Sequence, residues 1–174
     1  MNQHDMTRNM VLAALFAALT AIGAFLQIPT GTVPITLQFL FTALAGLLLG
    51  WKWGAISQLL YVGIGLLGLP VFTQGGGMSF CGVFGFSLMF NSPVKLASVA
   101  AVIGALTARR TGYLTVLAAV LVGDLILYAV GVPYMYLILH VYMQSAKTFP
   151  ALLAAMLVYV PGDTLKIIVV TALA

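Results

Sequence analysis

Charge is nearly absent from this chain, and that limits its fold more than any other feature. Between Arg8 and Lys52, and again between Lys52 and Lys95, there is no Asp, Glu, Lys or Arg. Only 6% of the 174 residues are charged and 63% are hydrophobic, against about 25% charged residues in a soluble domain. So little polar surface cannot cover a water-soluble globule, which makes the lipid bilayer the solvent. In hydrocarbon every backbone N–H and C=O must be satisfied within the protein, so only helices or a closed barrel are possible. Barrel strands alternate polar and apolar side chains over about 10 residues. The runs here are apolar on all sides, and helices are expected. Six spans of about 20 residues use about 120 positions. The remainder is too short for a soluble domain of roughly 50 residues or more. The expectation is an all-α membrane protein, a six-transmembrane-helix bundle forming one integral-membrane domain over 1–174. A nucleotide-hydrolysing module and a lumenal receptor domain are excluded.

Proline, glycine and charge punctuate the runs. The first runs from about Thr7 to Ile28 and is expected to be a retained span, since no small-residue cleavage pattern follows a short apolar core. A turn region, Ile28 to Pro34, leads to a second run, Ile35 to Gly50. Trp51-Lys52-Trp53 reads as an interfacial anchor. The third run, Gly54 to Leu69, stops at Pro70 and a glycine-rich loop, Thr73 to Ser79. The fourth, Phe80 to Leu106, is interrupted at Asn91-Ser-Pro93 and closes at Arg109-Arg110. The fifth, Tyr113 to Val130, stops at Gly131-Val-Pro133. Residues 132–148 are mixed and aromatic, and a last run starts near Phe149 and contains Pro161-Gly-Asp163. Runs two and three, at about 24 Å as helices, are shorter than a usual 30 Å core. With six spans, Arg8, Lys52, Arg109 and Arg110 fall on one side. The opposite loops carry only Lys147. That asymmetry predicts cytoplasmic N- and C-termini.

Ionisable groups inside the runs are functional candidates by default, because each costs about 2.5–3.5 kcal/mol at a helix centre. Asp163 and Lys166 are the sharpest pair. Three residues apart, they share a helical face and can neutralise each other. They read either as a structural ion pair or as a ligand site, with Lys166 the cation for a carboxylate and Asp163 fixing it or accepting a ligand N–H. Pro161-Gly162 frees backbone groups that belong beside a cavity at this depth. Asn91 and Lys95 form a weaker cluster around Pro93, where Lys95 either snorkels or faces a cavity. Asp124 has no partner nearby in sequence. Three readings stay open for it: pairing with Lys95, capping a cavity, or lying near the interface. His140, among tyrosines, reads as an interfacial residue.

No Cys, His and Asp spacing fits a metal site, and no acid–base pair on one span equips an intramembrane hydrolase. Gly75 to Gly77 lacks the Gly-Lys-Ser/Thr of a phosphate loop and reads as a permissive turn. The first run has a small-residue pattern: Ala13, Ala17 and Ala21 at one spacing of four, Ala14 and Ala18 at another. Such stripes let a second helix approach closely. The neighbour is either another helix of this bundle or a partner membrane protein.

These segments resemble the BioY family, the biotin-capturing S components of energy-coupling-factor vitamin transporters. The resemblance covers nearly the whole chain. It rests on Ala13-Ala-Leu-Phe-Ala-Ala-Leu-Thr-Ala21, Val33-Pro-Ile-Thr-Leu-Gln38 and Ala43-Leu-Ala-Gly-Leu-Leu-Leu-Gly50. Gly65-Leu-Leu-Gly-Leu-Pro-Val-Phe72 and Pro161-Gly-Asp-Thr-Leu-Lys166 continue it. The resemblance implies an outward-facing vitamin pocket, with Asp163 and Lys166 on biotin and a contribution from the Gly75–Phe86 stretch. Gln38, Gln74, Phe86, Asn91 and Lys95 complete the candidate set. Where the family usually reads Gly-Pro-Thr/Ser-x-Gly-Tyr, this chain reads Cys81-Gly-Val-Phe-Gly-Phe-Ser87. The resemblance also implies a prokaryotic cell-membrane protein that is no enzyme and holds no cofactor or metal. Its first-helix alanines, Ala13, Ala14, Ala17, Ala18 and Ala21, would dock a transmembrane coupling subunit joined to two ATPases. Lipoate or another small carboxylate vitamin stands as an alternative ligand. A structural scaffold or an intramembrane enzyme is a more distant one.

Overall fold

The computed structural model describes residues 3–28, 35–71, 93–108, 112–141, 148–157 and 159–173. Its elements are helices α1 (Gln3–Phe25), α2 (Gln38–Leu66), α3 (Pro93–Thr107), α4 (Tyr113–Val141), α5 (Phe149–Met156) and α6 (Val160–Leu173). Between α1 and α2, β1 (Gln27–Ile28) and β2 (Ile35–Thr36) form a two-residue antiparallel bridge. By length and composition α1 and the 113–133 part of α4 can each cross a membrane as single helices, and α2 reaches that length only with its two arms counted together.

Helix α2 is two antiparallel arms. Gly50 takes φ 76° and ψ 178° inside it, a conformation open to glycine and little else. The chain reverses there, and the arms 38–49 and 51–66 lie side by side. Residues equidistant from the turn meet. Thr42 Oγ1 donates to Gln58 Oε1 at 3.0 Å, and Gln38 Nε2 donates to the Tyr61 hydroxyl at 2.8 Å. Near the turn the backbones approach so closely that a Cβ on Gly54 would lie 2.9 Å from Gly46 Cα. Runs two and three are thus adjacent rods, as their glycines allow. Lys52 lies over the Trp51 ring, 5.3 Å from its centroid.

Helix α2 packs most extensively on α3 and α1, and α4 on α3 and α6. Four helices share the main core: Phe39 and Ala43 from α2, Val99 and Ile103 from α3, Val116 and Val120 from α4, and Ile167 and Val170 from α6. A second cluster joins Ala17 of α1 to Tyr61, Val62 and Leu96. The outer faces stay apolar, with Leu15, Leu48, Ile56, Leu125 and Leu165 exposed, as lipid contact requires. The hydroxyls of Thr20, Thr107, Thr164 and Thr171 each donate to the carbonyl one turn back, which satisfies them without water.

Two boundaries differ from the sequence reading. Helix α4 continues through Gly131 and Pro133 to Val141, although the pattern ends it at Val130. An internal proline removes one backbone bond but need not end an apolar helix whose neighbours re-satisfy the freed groups. The last run is split: α5 ends at Met156, and α6 starts afresh at Val160.

Candidate functional site

The first turn of α6 holds the charged site. Pro161 sits at its second residue, where a missing N–H costs little, and the Asp163 N–H donates to Tyr159 O at 3.0 Å. Asp163 therefore stands at the positive end of the helix, where a carboxylate is favoured. Lys166, one turn on, donates from Nζ to Asp163 Oδ1 at 2.8 Å. Their side chains are only 12% and 10% exposed. The Tyr128 hydroxyl of α4 donates to the other oxygen, Asp163 Oδ2. Both oxygens of Asp163 are thereby satisfied.

Asp124 lies one turn before Tyr128 on α4, within electrostatic reach of both Asp163 and Lys166. Its Oδ1 is buried and accepts no hydrogen bond. It is the one such side-chain atom among the described residues. Two acids, one ammonium and one phenol thus meet between α4 and α6.

Two further polar groups lie along the arms of α2. Gln38, the first residue of α2, accepts from Thr36 Oγ1 at 3.3 Å and donates to Tyr61, whose hydroxyl donates to Val71 O at 3.2 Å. Deeper, fully buried Gln58 accepts from Thr42 and donates to Thr20 at 3.2 Å and to Ser57 at 3.0 Å. This group ties α1 to both arms.

Of the expected site residues, the structure brings Asp163 and Lys166 together. Gln38 is buried in its own network, next in the chain to Phe39 of the main core. Gln74, Phe86 and Asn91 lie outside the described residues, as does the side chain of Lys95, which is in the first turn of α3. His140 is exposed and stacks on Tyr136 with ring centroids 5.5 Å apart. The alanine pattern divides. Ala13 and Ala17 are 2% and 3% exposed, Ala17 packs on Tyr61, Val62 and Leu96, and Ala21 borders the same cluster. Ala14 and Ala18 face outward. The expectation that all five meet a partner is corrected for the inner row, whose surface is spent inside the chain. A difference of one residue in register rotates a side chain by about 100° and separates the rows.

The ends of the bundle differ in charge. The Leu37 N–H donates to Gly23 O, so α1 runs antiparallel to the first arm of α2. Arg8 and Lys52 therefore share the end where α2 reverses. Helix α4 also starts toward that end: a Cβ on Gly104 would strike Gly50 and Trp51, and Val116 packs in the core with Ile103. Tyr128 is about 18 Å further along. The acid cluster lies away from the basic end.

A sequence model of the BioY family matches residues 1–174. The chain belongs to the BioY family. A protein of Lysinibacillus sphaericus named as a probable biotin transporter BioY is 46% identical over 151 residues, covering 86% of this chain and 75% of that one. The biotin transporter BioY of Thermotoga maritima is 33% identical over 174 residues, covering 96% of this chain and 94% of its own. A crystal structure of the S-component for biotin from an ECF-type ABC transporter superposes with a TM-score of 0.83 at 27% identity, over 99% of this chain and 92% of that one. The resemblance read from the sequence fragments holds for the whole chain, and the helical architecture matches an S component.

Tyr128 was not legible as part of the site. Its only sequence signal is its spacing of four from Asp124, which puts an acid and a phenol on one face of an otherwise apolar helix. Gln58 with Thr20 and Thr42 was missed for the same reason: those residues are scattered, and only the reversal at Gly50 joins them.

Proposed function

We propose that this chain is the biotin-binding membrane subunit, the S component, of an energy-coupling-factor transporter for vitamin uptake. The observation that carries the reading is the buried Asp163–Lys166 pair at the start of α6, in a chain that matches the BioY family from end to end. A binding subunit needs a few oriented polar groups in an apolar, water-poor site, and this cluster supplies acceptors and donors within one helical turn. Biotin offers an apolar valerate arm, a carboxylate and a ureido ring with N–H and C=O groups. The relatives cited carry biotin in their names, which leaves the lipoate alternative without comparable support.

In this reading the chain is a multi-pass protein of a prokaryotic cell membrane, with six crossings and both termini cytoplasmic. The basic end carrying Arg8 and Lys52 supports that orientation and leaves the acid cluster toward the outer side. The chain performs no chemistry. ATP hydrolysis falls to two cytoplasmic ATPases through a transmembrane coupling subunit. The outward-facing Ala14 and Ala18 of α1 supply the small-residue surface against which that subunit packs.

Calorimetric titration of the purified chain in detergent tests the ligand. Biotin binds the wild type, and Lys166→Ala weakens binding about ten- to a hundredfold, the worth of one charge-assisted hydrogen bond. A wild-type chain that takes up no biotin, or a Lys166→Ala variant that binds it undiminished, sinks the reading.

A further inference from the structure

We infer that the α2 face of the bundle holds a locally thinned bilayer, and that the lipid it takes there is a phospholipid with short acyl chains. The inference concerns the membrane around the chain and does not depend on the transported ligand.

The two arms of α2, 38–49 and 51–66, are about 18 and 24 Å long, against about 30 Å for a usual hydrocarbon core. Both ends of the arms are fixed. At the reversal, a Cβ on Gly104 of α3 would lie 2.4 Å from Trp51 N, and one on Gly46 would lie 2.4 Å from Ala100 O. The turn is therefore seated on α3 and cannot slide to lengthen an arm. At the other end the Leu37 N–H donates to Gly23 O at 3.1 Å, and the Tyr61 hydroxyl donates to Val71 O at 3.2 Å. Helix α1 gives the same span independently: Arg8 stands about 22 Å from Gly23 along the axis, close to the level of the Gly50 turn. Between these ends Leu48, Ile56, Leu59 and Leu60 are exposed and offer a surface to acyl chains.

Helix α4 presents a taller wall. Its 113–133 part is about 31 Å long and the whole helix about 43 Å, with Leu114, Leu121 and Leu125 exposed along it. One flat bilayer cannot match both sides. A long helix fits by tilting, but tilt only reduces what a short one spans, so the α2 side needs thinning, snorkelling or a second copy to cover it. Snorkelling is restricted, because Lys52 lies over the Trp51 ring at 5.3 Å. Coverage by a copy is disfavoured by the same tip, since an exposed tryptophan beside a lysine suits a headgroup layer better than a dry interface. Thinning by lipid is what remains.

The chain's two tryptophans, Trp51 and Trp53, both sit at the reversal, so their fluorescence reports on the lipid beside α2. The test uses the full chain in vesicles where dibromostearoyl phosphatidylcholine, a quencher, competes with myristoleoyl, oleoyl or erucoyl phosphatidylcholine. Relief of quenching gives the relative affinity of each lipid for this face. The short myristoleoyl lipid is expected to outcompete the long erucoyl lipid by about twofold or more. A variant carrying Trp51→Phe, Trp53→Phe and Leu125→Trp moves the reporter to α4, where that preference should vanish or reverse. Should it fail to fold, Leu125→Trp alone serves, read as the difference from the wild type. A profile at the reversal that is flat, or that favours long chains, overturns the inference. So does an equal short-chain preference at position 125, which would make the thinning uniform. Weak quenching by every lipid at the reversal would show the face covered by a second copy, and overturns it as well.

Discussion

Removing Lys166 alone should destabilise the protein more than removing Lys166 and the charge of Asp163 together. The pair is nearly dry, with side chains 10% and 12% exposed and a 2.8 Å contact. Deleting one member of a buried pair costs about 3–5 kcal/mol, because the other is left uncompensated, while replacing both by neutral groups of similar shape is often neutral or stabilising. In Lys166→Met, Asp163 keeps only the Tyr128 hydroxyl, and Asp124 stands nearby as a second acid without a cation. At roughly 2–4 °C per kcal/mol for a chain of this size, the midpoint should fall by about 6–20 °C. In Lys166→Met with Asp163→Asn, most of that loss should be recovered. Asp163→Asn alone should cost less than Lys166→Met, since Lys166 can turn to Asp124. The assay is thermal denaturation in detergent without ligand, read by the monodisperse fraction on gel filtration. A Lys166→Met midpoint equal to wild type would refute the claim that the pair is dry. A double variant no better than Lys166→Met would show that the two side chains are not energetically coupled.

Gly46→Val should loosen the bundle, because a Cβ there lies 2.4 Å from Ala100 O. Helices α2 and α3 must part by about 1 Å, at a cost of about 1–3 kcal/mol, whereas Gly63→Ala, with nothing within 4 Å, should keep the wild-type melting midpoint. Ala18→Trp should leave biotin binding intact in detergent and abolish uptake in cells that hold the coupling subunit and ATPases. Ala17→Trp should damage folding and binding together, since Ala17 is buried against Tyr61 and Leu96; equal behaviour of the two variants would show that the rows share one role.

Much of this was legible in sequence, for identifiable reasons. The apolar runs fix helices because lipid leaves the backbone no other choice, and their order carries the family. Asp163 and Lys166 were visible because they are local, three residues apart on one helix. What sequence could not supply is contact between distant positions. Nothing in Asp124 or Tyr128 points to α6, and the pairing appears only once α4 and α6 lie side by side. The inner and outer rows of alanines look equivalent as letters, since each is a small-xxx-small pattern. Only the placement of Tyr61 and Leu96 decides which row is internal. Pro133 misled in the other direction, because a proline signal is strong in sequence and weak against the continuity of a packed apolar helix.

The two polar centres of the bundle differ in how fully their groups are paired. Gln58 engages its carbonyl with Thr42 and its amide with Thr20 and Ser57, and those partners come from α1 and both arms of α2. Such a network is worth its desolvation because it is complete, and it fixes how the arms register against α1. The Asp124 centre joins the buried Asp163 and Lys166 to the half-buried Asp124 and Tyr128, and is left open by one acceptor. If it served only to join α4 to α6, the Tyr128–Asp163–Lys166 chain would suffice, and an apolar residue at 124 would be cheaper than an unpartnered carboxylate. The orphan oxygen of Asp124 therefore distinguishes this centre from the completed network around Gln58.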